Sequence, residues 1–190
     1  LIMTSVSEDF GWSKKRIHER KNEIKQVCKE LGVRKENLYQ LGFPTAQLEK
    51  ILIKDQIIKV SKVIQSFQPT ELLVPHHGDV HSDHRVTFNV IASCTKWFRN
   101  SSVKRVLAYE TLSETEFNLD PTQAFQPNYF VDIGAYISKK IELLSIYDSE
   151  MGEFPFPRSK SAVMALAQFR GSNSGFEYAE GYKLLLERNC

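Results

Sequence analysis

The chain has 190 residues, of which 42% are apolar and 25% are charged, a composition typical of one globular domain with a buried core. Its 25 basic and 23 acidic residues give a formal charge of +2, too weak a positive field to indicate a nucleic-acid partner. No stretch approaches the roughly 20 consecutive apolar residues that cross a bilayer, so we expect no membrane span.

Predicted strands and helices alternate along the chain. The segment LIMTS predicts the end of a strand, and Ser13 is expected to cap a helix that Gly32 ends. A strand at NLYQLGF precedes a long helix from Thr45 to Phe67, and a short buried strand, ELLVP, follows. The later predictions are a helix capped by Asp83 or Ser82, strands at VKRVLAYE and NYFVDI, a helix at AYISKKIELLSIYDSEM, and helical pieces near 160–169 and 177–187.

This alternation predicts an α/β fold, specifically a Rossmann-like three-layer sandwich with a mostly parallel sheet, in one domain over residues 1–190. A core strand at Leu1 would need a neighbour, so we expect a first strand to be missing and the domain to be incomplete at both ends. Cys28 and Cys94 fall in helical patterns and Cys190 is the last residue. The three cysteines form no disulfide framework, which favours a reducing, cytoplasmic setting.

Histidines concentrate directly after ELLVP, in the stretch PHHGDVHSDHR, which holds four of the five histidines of the chain. In open α/β sheets, ligands bind at the carboxyl ends of strands, where this stretch begins. His81, Asp83 and His84 bring two imidazoles and a carboxylate within one helical turn, which suits metal ligation. A catalytic zinc typically has three protein ligands, so this turn alone does not complete a site.

One motif family that this stretch approaches is the H-x-H-x-D-H signature of metallo-β-lactamase-like hydrolases. Asp79 occupies a position that this signature gives to histidine. Such hydrolases also need metal-binding histidines further downstream, and the chain has none after His84. The count of histidines therefore weighs against this interpretation.

A second set of motifs covers Leu1 to about Leu186. In chain order these motifs are MTSVSEDFG, RKNEIKQVCKELG, LGFPTAQL, PHHGDVHSDHR, YET, VDIGAYISKKIELLSIYDSE and GFEYAEGY. On these motifs the chain resembles the LmbE-like, PIG-L family of zinc-dependent N-deacetylases. The resemblance implies a hydrolase that removes the acetyl group from a small N-acetylated amino sugar or glycoconjugate, of the N-acetylglucosamine type.

The resemblance also implies a role for five residues. His84 would bind the metal, while His81 would polarise the acetyl carbonyl and stabilise the oxyanion, with Asp83 orienting its imidazole. Arg20 matches a position near the sugar site. Thr45 stands where relatives often have an aspartate that contacts sugar hydroxyls, so it could still form a hydrogen bond but without charge.

The family's other two zinc ligands and its general-base aspartate belong to a His-Pro-Asp-Asp motif upstream of LIMTS, and that motif is absent here. We therefore expect residues 1–190 alone to bind zinc poorly and to be nearly inactive. Imidazole and carboxylate ligands suit Fe²⁺ as well as Zn²⁺. The sequence is also compatible with another metallohydrolase such as a phosphoesterase, with a non-catalytic relative that acts as a binding domain, and with assembly as a homo-oligomer.

Overall fold

A computed structural model describes residues 1–189, in which five α-helices and six strands alternate much as the sequence predicts. The strands are β1 (Ile2–Ser5), β2 (Gln40–Pro44), β3 (Glu71–Pro75), β4 (Arg105–Tyr109), β5 (Tyr129–Asp132) and β6 (Ala179–Glu187). The helices are α1 (Lys14–Glu30), α2 (Ile53–Phe67), α3 (Ser82–Cys94), α4 (Ile137–Ser145) and α5 (Lys160–Ser172).

Helix α1 has the ends that the sequence predicts. The Ser13 hydroxyl accepts the Arg16 N–H at 3.2 Å, which satisfies one of the free donors of the first turn. Gly32 follows the last turn with a φ of +67°, a conformation that glycine adopts without steric cost. Cys28 in α1 and Cys94 in α3 are free thiols within helices, as expected, whereas Cys190 lies outside the described residues.

The prediction for residues 177–187 is wrong, because this segment forms the strand β6 instead of a helix. Strand β6 lies between β4 and β5 and pairs with both in antiparallel orientation. The run KLLLE has good intrinsic helix propensity, but propensity is a weak preference that two flanking hydrogen-bonded strands override. Tertiary pairing therefore decides the conformation of this segment.

The prediction of a mostly parallel sheet is also wrong, because β6 pairs with both of its neighbours in antiparallel orientation. The four-stranded sheet has the order β3-β4-β6-β5, in which only the β3–β4 pair is parallel. Strands β1 and β2 form a separate parallel pair. The fold is a mixed α/β fold in which the parallel pairs lie early in the chain and the antiparallel pairs involve its last strand.

Helix α2 begins at Ile53, eight residues later than the predicted start at Thr45, and a 3₁₀ turn at Leu48–Lys50 precedes it. Ala46 has a φ of +55°, a left-handed conformation that interrupts a helix. Residues 45–52 therefore form a loop at the carboxyl end of β2. This loop takes part in the candidate site described below.

Helices α2 and α3 pack on β3 and β4 around one apolar cluster. It includes Val60 and Val90 from the helices and Val74 and Val106 from the strands, with Met3 of β1 packed against it. Both faces of β4 are covered, because Val106 and Leu107 point to opposite faces and are both buried. The two sheets thus share a core although no strand pairing joins them within residues 1–189. None of the helices described there is long and apolar enough to cross a membrane.

Candidate metal and substrate site

The stretch PHHGDVHSDHR spans the loop between β3 and α3 and the first residues of α3. Strand β3 ends at Pro75, and α3 begins at Ser82. The N-cap residue is His81, not Asp83 or Ser82 as predicted, and its Nδ1 atom accepts the Asp83 N–H at 3.1 Å. An imidazole can take this role because a neutral ring has one nitrogen that accepts a hydrogen bond. His81 is therefore the last residue of the loop between β3 and α3.

The rings of His81 and His84 stack on each other at the start of α3. Their centroids are 5.0 Å apart and their planes differ by 22°. They are three positions apart in sequence, a spacing that places two side chains on the same face of a helix. The structure therefore brings together the two histidines that the sequence singles out.

The hydrogen bonds of these two rings assign opposite tautomers to them. His81 accepts at Nδ1, so in its neutral form the proton is on Nε2, which can donate to a substrate oxygen. His84 Nδ1 lies 2.8 Å from a carboxylate oxygen of Asp79, so Nδ1 carries the proton and donates it. The Nε2 lone pair of His84 is then available for a metal ion. One ring presents a donor and its neighbour an acceptor.

Asp79 contacts the histidine pair, although the sequence analysis considered it only as a mismatch to the metallo-β-lactamase-like signature. Its side chain is fully buried, with 0% exposed. One carboxylate oxygen contacts His84, and the other accepts the Thr115 hydroxyl at 2.6 Å. The Arg85 guanidinium donates to the Asp79 carbonyl at 2.9 Å. A carboxylate five residues before a histidine in a strand-to-helix loop is the only sequence signal for this contact.

The Asp83 carboxylate holds the loop that follows β2. Its two oxygens accept the N–H groups of Ala46 at 2.7 Å and of Leu48 at 3.0 Å. Asp83 thus contacts His81 through its backbone N–H, while its carboxylate bonds join two loops. Thr45, half-buried and next to Ala46, is held beside the first turn of α3 by these bonds. Three predicted site residues and the Thr45 loop therefore meet at one place.

Arg20 lies in a cluster of ion pairs whose described contacts do not include this turn. Its guanidinium donates to Glu150, lies 3.4 Å from a Glu23 oxygen, and covers the Tyr147 ring at 5.2 Å. Glu150 is also 3.5 Å from Arg158. The predicted role of Arg20 at a sugar site stays a prediction, since the partners that the structure gives it are protein side chains.

His76 and His77 form a separate pair outside the stacked histidines. The buried His76 contacts the Gln123 carbonyl through Nε2 at 2.7 Å, and the two rings meet edge-to-face at 4.4 Å between centroids. Burial lowers the pKa of His77, and the neighbouring His76 lowers it further. His76 is therefore packed within the loop, whereas His77 is exposed on its surface.

An open cavity of about 740 Å³ lies along α3. Its lining includes Glu49, His77, Phe88 and Gln123, and none of the five predicted site residues. Ser82 lines it and donates to Glu49 at 3.1 Å. Concavity alone therefore does not identify the histidine site, which is defined by its hydrogen bonds.

The described residues fit one position of a zinc site. His84 has the fixed tautomer and the supporting carboxylate that metal-binding histidines usually have. Within residues 1–189, however, no group of three histidine, cysteine, aspartate or glutamate side chains comes together that could hold a metal ion. His84 would therefore be one ligand of such a site.

Solved structures share this fold over nearly the whole chain. The N,N'-diacetylchitobiose deacetylase from Pyrococcus horikoshii superposes with a TM-score of 0.73 at 19% identity, over 97% of this chain and 71% of its own. The conserved protein TT1542 from Thermus thermophilus gives 0.72 at 21%, over 100% and 82%. A zinc-inhibited form of teicoplanin deacetylase Orf2 gives 0.68 at 14%, over 95% and 79%. At these identities the likeness establishes the fold.

This chain therefore has the mixed α/β fold found in these deacetylase structures. Residues 4–95 match the model of the PIG-L family, which is described as GlcNAc-PI de-N-acetylase. The resemblance to the PIG-L (LmbE-like) family is therefore confirmed over residues 4–95. The matched segment runs from β1 to the end of α3 and includes the stacked histidines.

Proposed function

We propose that this protein is a hydrolytic N-deacetylase that removes the acetyl group from a small N-acetylated amino sugar or glycoconjugate. The family match and the deacetylase neighbours support the reaction class. The observation that carries the proposal is the pair of stacked imidazoles with opposite tautomers. Water adds to the acetyl carbon, the carbon–nitrogen bond breaks, and acetate and a free amine leave.

In this proposal His81 acts on the acetyl oxygen. Amide hydrolysis passes through a tetrahedral oxyanion, and a donor aimed at that oxygen can lower the barrier by about 3 kcal/mol. The Nε2–H of His81 is such a donor, because its Nδ1 is committed to the Asp83 N–H. The cap at the start of α3 therefore sets both the place and the tautomer of the catalytic imidazole.

We further propose that His84 binds Zn²⁺, with Fe²⁺ as an alternative, since imidazole suits both metals. When bound, the ion supplies Lewis-acid activation of the attacking water. The described residues contribute one ligand, so residues 1–190 alone are expected to bind zinc weakly and to turn over slowly. The family resemblance implies two further ligands and a general base from a His-Pro-Asp-Asp motif, which residues 1–190 do not contain.

Substrate contacts are proposed for Thr45 and Arg20. The support for Thr45 is its position directly before Ala46, whose N–H donates to the Asp83 carboxylate in the first turn of α3. Arg20 would act only if substrate oxygens replaced some of its contacts with Glu150 and Glu23. A cytoplasmic setting and a homo-oligomer stay predictions.

The test compares three histidine variants in a form of the protein that also carries the His-Pro-Asp-Asp motif. His84→Ala should lose bound metal. His81→Ala should keep the metal and lose about 10²- to 10³-fold in kcat for acetate release. The control is His18→Ala, which removes the exposed histidine of α1 and should change neither quantity.

Retention of both metal and activity in His81→Ala and His84→Ala would contradict the assignment. Substrate binding without any acetate release in the parent protein would instead favour a non-catalytic binding domain. Metal content by mass spectrometry and acetate release by a coupled assay separate these outcomes.

A further inference from the structure

We propose that Asp79 and Thr115 act together as positioning residues that fix the tautomer of His84 and the direction of its Nε2 atom. The inference rests on the proposed function only in that His84 is taken as a metal ligand. The evidence for the positioning itself is a chain of hydrogen bonds that runs from His84 into a loop more than 30 residues away in sequence.

Both oxygens of the Asp79 carboxylate have a partner. Oδ2 receives the His84 Nδ1–H at 2.8 Å, and Oδ1 receives the Thr115 hydroxyl at 2.6 Å. The side chain has no exposed surface, so water does not compete for these positions. Because both oxygens are bound, the carboxylate plane is fixed, and with it the ring that donates to it.

The hydroxyl of Thr115 can donate in only one direction. It accepts the Thr111 N–H at 2.7 Å, and this bond occupies a lone pair of the oxygen. The single hydroxyl proton is then directed to Asp79 Oδ1. Thr115 thus connects the loop after β4 with the carboxylate, although 36 residues separate the two side chains in sequence.

The backbone around Asp79 is also held. Its N–H donates to the His76 carbonyl at 3.2 Å, and its carbonyl accepts the Arg85 guanidinium at 2.9 Å. The Val80 N–H donates to the Glu114 carbonyl at 3.3 Å, so the same two loops meet a second time. Metal-binding histidines oriented by such partners typically lose about 10- to 100-fold in metal affinity when the partner is removed.

The test measures the tautomer of His84 directly in the metal-free chain, by two-bond ¹H–¹⁵N correlation NMR of the imidazole nitrogens at mildly alkaline pH. In the parent chain we expect a protonated Nδ1 and an unprotonated Nε2. Asp79→Asn should shift the population toward protonated Nε2, because an amide can donate to Nδ1. Thr115→Val should shift it part of the way, and Thr115→Ser should restore the parent spectrum.

The matched control is Thr111→Val. Its hydroxyl is buried and has no hydrogen-bond partner within residues 1–189, so Thr111→Val makes the same chemical change in the same loop and keeps the backbone N–H that donates to Thr115. The His84 signals should not change. This comparison separates a positioning role from a general effect of removing a hydroxyl from the loop.

Zn²⁺ itself is the second probe, titrated into each variant and followed on the His84 ring signals. Thr115→Val should weaken binding about tenfold and Asp79→Asn about 10- to 100-fold relative to Thr111→Val. An Nε2-protonated His84 in the parent chain, or equal tautomers and equal zinc affinities in all variants, would overturn the inference. The tautomer is measured without metal or substrate, so its result does not depend on deacetylase activity. The positioning role can therefore fail while the deacetylase proposal stands, and the deacetylase proposal can fail while the positioning role stands.

Discussion

Replacement of Asp83 by alanine should destabilise the protein through the loop after β2. Asp83 is 6% exposed, and its carboxylate accepts two backbone N–H groups, from Ala46 at 2.7 Å and Leu48 at 3.0 Å. A hydrogen bond to a charged group contributes roughly 1.5–3 kcal/mol, and the two lost together should lower the free energy of unfolding by about 3 kcal/mol. In urea this corresponds to a midpoint lower by about 1 M.

Two further variants separate the contribution of the hydrogen bonds to this loss of stability from that of the backbone strain at Ala46. Asp83→Asn keeps one acceptor oxygen, so we expect about half the loss, roughly 1.5 kcal/mol. Ala46 holds a left-handed backbone with a φ of +55°, which costs an L-residue roughly 1–2 kcal/mol. Ala46→Gly in the Asp83→Ala background should therefore recover about 1 kcal/mol, because the loop no longer needs the carboxylate to hold a strained residue.

The control is Asp132→Ala, which removes an exposed carboxylate that accepts only the nearby Gly134 N–H at 2.8 Å among its described contacts. Water can replace that bond, so the loss should stay below about 1 kcal/mol. Urea unfolding followed by circular dichroism measures all four variants. A loss in Asp83→Ala no larger than in Asp132→Ala would refute the reasoning, since the two buried N–H groups would then have found other partners.

Two other predictions concern ion pairs. Glu110→Gln should lower the free energy of unfolding in urea by about 3 kcal/mol, because the Arg170 guanidinium, which is 13% exposed, loses the carboxylate that accepts two hydrogen bonds from it. Arg170→Lys should also destabilise the protein, since one ammonium group cannot make both parallel bonds. A loss below about 1 kcal/mol in both variants would contradict this prediction. Burial raises the pKa of Glu180, but the ion pair with Lys140 and the hydrogen bonds from Lys140 and Tyr182 outweigh it and leave the pKa lowered. A lowered carboxyl pKa adds stability that is present above about pH 4.3 and is lost as the pH falls through the folded-state pKa. The parent should therefore lose more stability than Glu180→Gln between about pH 6 and pH 3.5, and parallel losses in the two proteins would show that Glu180 does not contribute.

The sequence was sufficient where a signal is local. Ser13 and Gly32 mark the ends of α1 because a cap requires only neighbouring residues. The strand ELLVP and the helix after it are confirmed as β3 and α3, and their order places the histidine stretch at the carboxyl end of a strand. The spacing of His81 and His84 already determined that the two rings share one face of the helix.

Only the tertiary structure decided which partner each polar group has. Asp83 was expected to orient His81, yet its carboxylate bonds reach a loop 35 and 37 residues earlier in the chain. The hydrogen-bond partners of the Asp79 carboxylate are His84 and Thr115, and no sequence pattern links Asp79 with Thr115. The last strand, β6, is a strand because β4 and β5 flank it, against its own helix propensity. Local propensity and caps depend on neighbours in the chain, whereas sheet pairing and buried hydrogen bonds depend on residues that folding alone brings together.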